Sequence, residues 1–229
     1  MNDQELLDKA AQAVEAAKKA GADVAEAIAI RRSELSLQVR LGEIEQVKEA
    51  DSYAVGLRVM VEGRSATTNS SDPTANGLAT MVEDAMALAQ LSEAGEFAAP
   101  PDAAERAKEC PDLDLYDDHT AGLDAAFAED WAKRAETAAR EHDERITNSE
   151  GGSFSRTRSA VALVTADGFS GAYRGSFASG SAAPIADDDG GKKRNGVYWD
   201  ARRYFSEMMS PEDIGVEAAR RTVAKLGAQ

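Results

Sequence analysis

The chain is poor in the residues that carry most chemistry. It has one cysteine and two histidines in 229 residues. A single thiol, Cys110, excludes a disulfide within the chain and fits a reducing compartment. Its neighbours Glu109 and Asp112 are acids, which do not favour a thiolate nucleophile. A zinc peptidase needs two histidines one helical turn apart, a further ligand and a general-base glutamate. Neither His119 nor His142 is followed by a glutamate and a second histidine at that spacing. Basic residues are in deficit too: 26 Lys and Arg against 41 Asp and Glu leave a net charge of -15. Gripping nucleic acid needs a clustered cationic surface, so direct nucleic-acid binding is excluded as an expectation. No apolar run approaches the roughly 20 residues that span a bilayer, so no membrane contact is expected. Met1 is followed by Asn-Asp-Gln-Glu, without a basic or apolar leader, which gives a cytoplasmic reading. There is no Gly-x-Ser-x-Gly elbow, no phosphate loop and no G-x-G-x-x-G.

What is present is a well-patterned globular sequence, 43% hydrophobic and 29% charged, too apolar for a disordered chain. Leu7, Ala10, Ala11, Val14 and Ala17 recur at helical spacing, and Gly21 stands where a C′ glycine stops a helix. From Asp23 to Asn69 the period changes to two. Leu35, Leu37, Val39 and Leu41 alternate with polar residues, as do Tyr53, Val55, Leu57, Val59 and Val61. The short connections predict an antiparallel meander of about four strands. Asp72-Pro73 predicts a capped helix start, with Leu78, Met81, Val82, Ala85 and Leu88 as its buried stripe.

Residues 98–118 are rich in Pro and Asp and predict an acidic linker, pinned to the body by Leu113, Leu115 and Tyr116. Its carboxylates lack the glycine and terminal glutamate of an EF-hand. Leu123, Phe127, Trp131, Ala135 and Ala138 predict a second long helix. Strands follow at 145–149, 154–165 and 168–183, with hairpin turns expected at Gly151-Gly152 and Asp167-Gly168. Phe169, Tyr173 and Phe177 share one strand face, and Gly196-Val-Tyr-Trp-Asp200 reads as a further strand. Ser210-Pro211 opens a last helix through Leu226. The fold class expected is α+β, with antiparallel sheets flanked by long amphipathic helices. The expected division is a first α+β segment at 1–97, the linker at 98–118 and a second α+β segment at 119–229.

Four stretches taken in order resemble one family. They are Asp23-Val-Ala-Glu26, Gly42-Glu-Ile-Glu-Gln-Val47, Gly56-Leu-Arg-Val59 and Asp143-Glu-Arg-Ile-Thr-Asn-Ser-Glu-Gly-Gly-Ser-Phe154. Together they resemble the PmbA (TldE) branch of the TldD/PmbA metallopeptidase-like proteins. The resemblance covers nearly the whole chain but only the front half of such a protein, the C-terminal half being absent. It implies a TldD/PmbA N-terminal fold and a place in a cytosolic two-chain metalloprotease that processes unfolded peptides.

In that family the chemistry is associated with the TldD branch, through a His-Glu-x-x-x-His motif. At the corresponding place this chain has Asp187-Asp-Asp-Gly-Gly-Lys-Lys-Arg194 and Val197-Tyr-Trp-Asp200, and no histidine beyond His142. The resemblance therefore implies no catalytic residue and no metal ligand in this chain, with zinc on a TldD-like partner subunit of a heterodimer. The chain alone would be inactive and would bind no cofactor. Thr147, Asn148, Gly151, Gly152, Ser153 and Phe154 are the residues expected to face peptide or partner. Exposed sheet edges would let the chain self-associate. The alternative implied by the same family is a non-proteolytic regulator, of the kind called a modulator of DNA gyrase, acting through protein contacts.

Overall fold

The computed structural model describes residues 3–102 and 104–228. The elements in order are α1 (Asp3–Lys19), β1 (Val24–Arg40), β2 (Glu43–Val61), β3 (Arg64–Ser70), α2 (Ala75–Leu91), α3 (Asp118–Gly122), α4 (Ala125–Glu141), β4 (Ile146–Thr165), β5 (Ser170–Asp188), β6 (Lys192–Asn195), β7 (Tyr198–Arg202) and α5 (Pro211–Val223). Strand pairing runs β3-β2-β1-β4-β5-β6, with β7 also pairing with β5. The β2–β3, β5–β6 and β5–β7 pairs are antiparallel. The class is α+β, as the patterning predicts.

The chain forms two compact units, and neither is continuous in sequence. The first comprises residues 1–32, 51–114 and 159–174; the second comprises 33–50, 115–158 and 175–229. Strands β1, β2, β4 and β5 are long enough to give one segment to each unit.

In the first unit, α1 and α2 cover one face of the sheet. Leu6, Ala10, Ala13, Val14 and Ala17 of α1 and Leu78, Met81, Val82, Ala85 and Ala89 of α2 meet Val55, Leu57 and Val59 of β2. The stripe of α1 is therefore rotated from the expected one, with Leu6 and Ala13 buried in place of Leu7 and Ala11. In α2, Leu88 is exposed and Ala89 is buried, so the stripe continues from Ala85 by the four-residue step. Helix α1 ends as expected: Ala22 N–H donates to Ala17 and Gly21 N–H to Lys18, with Gly21 at φ 99°. This is the two-bond glycine cap that satisfies the last carbonyls. Helix α2 starts later than expected. Thr74 is the cap, its hydroxyl accepting from Gly77 N at 3.2 Å, while Asp72 accepts from Thr74 N at 2.9 Å.

Residues 23–69 form three long strands, not four. Leu41 (φ 52°) with Gly42 (φ 83°), and Glu62 (φ 50°) with Gly63 (φ 77°), make the two tight turns between them. Two successive positive φ values are what a two-residue hairpin turn demands.

In the second unit, α4 and α5 pack on each other and on β1, β4 and β5. The core comprises Leu35, Leu37, Val39, Ala128, Trp131, Ala132, Ala135, Phe154, Ala178, Ala182, Ile214 and Ala218. An aromatic cluster anchors it. Phe154 lies 5.3 Å from Trp131 and 5.4 Å from Phe127, and Phe127 lies 5.0 Å from Phe205. The expected helix forms as one piece, α4, but starts after Leu123: Leu123 ends the short α3, which the pattern did not predict, and Asp124 caps α4 by accepting from Phe127 N at 2.9 Å. Ser210 caps α5 and Pro211 opens it, as expected, but the regular helix ends at Val223.

The largest departure concerns Gly151-Gly152. No hairpin forms there; β4 is one strand from Ile146 to Thr165. The pair serves close packing instead. A Cβ on Gly152 would stand 2.2 Å from the Ala132 carbonyl oxygen, and one on Gly151 would stand 2.3 Å from that of Val39. Gly151 also holds φ 118°, which side chains rarely adopt. A double glycine satisfies either requirement, so pattern alone does not separate a turn from a close approach.

Candidate functional site

The stretch from Thr147 to Phe154 lies wholly within the second unit. Thr147 is exposed, Asn148 and Ser153 are half-buried, and Gly151, Gly152 and Phe154 are buried. Alternation separates the last two: Phe154 points into the helix-covered core, and Ser153 points to the opposite face. Asn148 turns its carbonyl oxygen to Ser149 N at 2.8 Å. Ser149 is buried and ties the segment down, its hydroxyl accepting from Gly151 N at 2.8 Å and its carbonyl from Arg40 Nε at 3.0 Å. Of the six expected residues, the structure leaves Thr147, Asn148 and Ser153 accessible and commits the other three to packing.

Ser153 leads to a feature the sequence reading did not single out. Its hydroxyl is 2.8 Å from that of Ser181 on β5. Ser181 in turn pairs across the ladder with Trp199 on β7. Directly opposed residues share a face, so Ser153, Ser181 and Trp199 form a row across β4, β5 and β7. Trp199 is 61% exposed, and Phe177 on β5, at 43%, lies on the same face by two-residue alternation. Tyr198 takes the other face, packs against the core and carries the Arg221 guanidinium over its ring at 4.4 Å. The period-two reading of 196–200 contained the signal. The small serines opposite Trp199, which leave the indole uncovered, were visible only with the register in hand.

Asp117, His119, His142 and Asp143 of this unit are held in structural contacts. Asp117 caps α3, and its hydrogen bonds from the Thr120 hydroxyl and amide hold its carboxyl below the usual range. The Thr120 hydroxyl also accepts from Phe205 N at 2.8 Å. His119 packs edge-on to Phe205 at 5.7 Å. His142 ends α4 beside Asp143, whose carboxylate is taken by Arg145 at 2.8 and 2.6 Å. Asp143 is pulled well below the carboxylate range, first by the Arg145 side chain. Among the described residues no group of three or more His, Cys, Asp or Glu is arranged to hold a metal ion. The surroundings of His119 and His142 thus do not fit a zinc site, and no chemical step is assigned to one. Among the described residues no helix is long and apolar enough to cross a membrane.

Comparison with known proteins gives consistent matches. Residues 25–89 match the description PmbA/TldA metallopeptidase domain 1, and residues 118–226 match PmbA/TldA metallopeptidase central domain. The chain is 32% identical to Metalloprotease PmbA of Escherichia coli O157:H7 over 204 residues, covering 89% of this chain and 45% of that protein. It is 32% identical to a Metalloprotease PmbA homolog of Haemophilus influenzae over 227 residues, 99% of this chain and 49% of the other. The chain thus spans about half the length of the curated relatives it matches. Among solved structures, a Bacteroides thetaiotaomicron protein described as a candidate modulator of DNA gyrase superposes with a TM-score of 0.89 at 23% identity, covering 97% of this chain and 50% of that one. TldE from Thermococcus kodakarensis superposes with a TM-score of 0.79 at 16% identity, over 94% and 47%. At those identities the structural likeness establishes the fold alone.

Proposed function

The chain belongs to the PmbA/TldD metallopeptidase family, and from that premise we propose that it is the non-catalytic, peptide-handling part of a PmbA/TldE-type subunit. Its role is to join a zinc-bearing TldD-type chain in a cytosolic two-chain protease and to present unfolded peptide to it. The observation that carries the reading is the row Ser153, Ser181 and Trp199. A 61% exposed indole beside paired hydroxyls is costly to leave in water and well suited to an extended chain or a partner surface. Thr147 and Asn148 extend the same proposal along β4.

The alternative, a regulator acting without proteolysis, is supported by the description of one structural neighbour. A net charge of -15 makes a basic protein its better target than DNA. Intrinsic fluorescence separates the two. Adding a TldD-type chain from the same source should shift the Trp199 emission, and Trp199→Ala should weaken the association. An unchanged spectrum and unchanged association would remove this row from the account.

A further inference from the structure

The first half of β2 is a free sheet edge. Strand β3 pairs only with Val55–Val61, so the outer side of residues 43–54 has no strand beside it among the described residues. Every residue from Glu43 to Ser52 is exposed. Edges are commonly guarded by shortness, bulges, proline or charge, and charge is the guard that this edge carries. The stretch Glu43–Ala50, all of it in the second unit, has no proline or glycine, and it exposes Ile44 at 46% and Val47 at 52%. It is also held in place. The Glu136 carboxylate accepts from Leu41 N at 2.8 Å and Gly42 N at 2.9 Å and so fixes the turn from which the edge departs. A fixed edge has little ordering entropy left to lose when a strand is added.

Charge chooses the occupant. Glu43, Glu45 and Glu49 fall on one face of the strand by two-residue alternation, while Lys48 falls on the other. Glu45 is shared loosely with Arg40 at 3.7 Å, and Lys133 of α4, which also feels the charge of Glu43, is paired with Glu129 at 2.7 Å. No ion pair of Glu49 occurs among the described residues. A second copy of the chain would bring the same three carboxylates and the same net charge of -15. A strand with lysine or arginine at alternate positions would match them.

We infer that the Glu43–Ala50 edge is a strand-addition site for an extended cationic peptide, whose backbone completes the ladder and whose alternate basic side chains meet Glu43, Glu45 and Glu49. This deepens the peptide-handling reading and rests on it, naming where the peptide lies and which composition it has.

The test uses the purified chain and a fluorescent peptide alternating lysine and threonine, read by anisotropy. Two control peptides accompany it: one with glutamate for lysine, and one with alternate backbone amides N-methylated. The lysine peptide should bind and both controls should fail. The variant E43Q/E45Q/E49Q should bind about tenfold more weakly, because each exposed ion pair contributes only modestly. Equal binding of the N-methylated peptide would show charge attraction without strand pairing and overturn the inference. So would equal binding by the triple variant, or no binding at all, which would make the edge merely guarded. Self-association that Glu→Gln exchange strengthens would assign the edge to a second copy and overturn it too. The two readings fail separately. A chain that supports peptide turnover with its partner but ignores the lysine peptide loses only this site. One that binds the peptide at the edge but never joins a protease keeps the site and loses the role.

Discussion

Glu136, buried on α4, accepts hydrogen bonds from the backbone of Gly42 at 2.9 Å and of its neighbour Leu41 at 2.8 Å. Leu41 and Gly42 both hold positive φ, so their N–H groups point together into one concavity that the carboxylate fills. The link joins residues 95 and 94 apart in sequence. Removing the carboxylate leaves two donors and one turn unsupported. Glu136→Ala should therefore cost about 2–3 kcal/mol in denaturant unfolding, and Glu136→Gln, which keeps one acceptor, about half of that. A loss under about 0.5 kcal/mol for the alanine variant would show that water replaces the carboxylate.

The double glycine makes a sharper prediction. Gly152→Ala should destabilise the chain by about 2–3 kcal/mol, because the added methyl would meet a main-chain carbonyl that cannot move aside. Gly168→Ala, at φ 105° with open space around it, carries only the backbone strain, about 1 kcal/mol. Equal losses at the two positions would contradict the close-packing account.

The fold class, the stops of α1 and the hairpin at 167–168 were legible because each rests on a local pattern: helical period, a glycine past a helix end, a favoured turn pair. The Gly151-Gly152 turn was misread because the requirement is set from outside the segment, by the carbonyls of Val39 and Ala132. Thr74 displaced Asp72 as a cap for a similar reason, since either residue is a good cap and only the start of α2 decides. The candidate surface was half legible. Ser153 came from the resemblance, but Trp199 joins it only through the register of β5 and β7.

Burial divides the segment 147–154 into two kinds of position. Phe154→Ala should lower stability by about 3–5 kcal/mol, the usual cost of emptying a fully buried aromatic site. Thr147→Ala and Ser153→Ala should change it by less than about 1 kcal/mol and act, if anywhere, on association. A destabilisation at Ser153 as large as at Phe154 would make the Ser153–Ser181 pair a packing element.

Asp188 should contribute to acid sensitivity. Its carboxylate accepts from Arg194 Nε at 2.7 Å, Gly227 N at 3.1 Å and Asp189 N at 2.9 Å, and its pKa is lowered from 3.8 to about 2, chiefly by the arginine. A lowered folded-state pKa gives stability that is present above the unfolded value and lost as the pH falls through the folded one. Glu217, lowered from 4.5 to about 2 by Arg220 and Arg221, acts in the same direction. Melting temperature should therefore fall between about pH 4.5 and pH 2, and less steeply in Asp188→Asn. Parallel profiles for the two proteins would remove Asp188 from the acid transition.

On the reading proposed above, this chain contributes a peptide- and partner-facing surface and leaves the metal to another subunit. The most direct measurement is zinc content and unfolded-peptide turnover, for the chain alone and for the family's full-length PmbA-type protein with and without a zinc-bearing TldD-type chain. The account predicts no stoichiometric zinc and no turnover by the chain alone, with turnover only in the pair and reduced by Trp199→Ala. About one zinc per chain, lost on replacing His119 or His142 and accompanied by turnover without a partner, would contradict it.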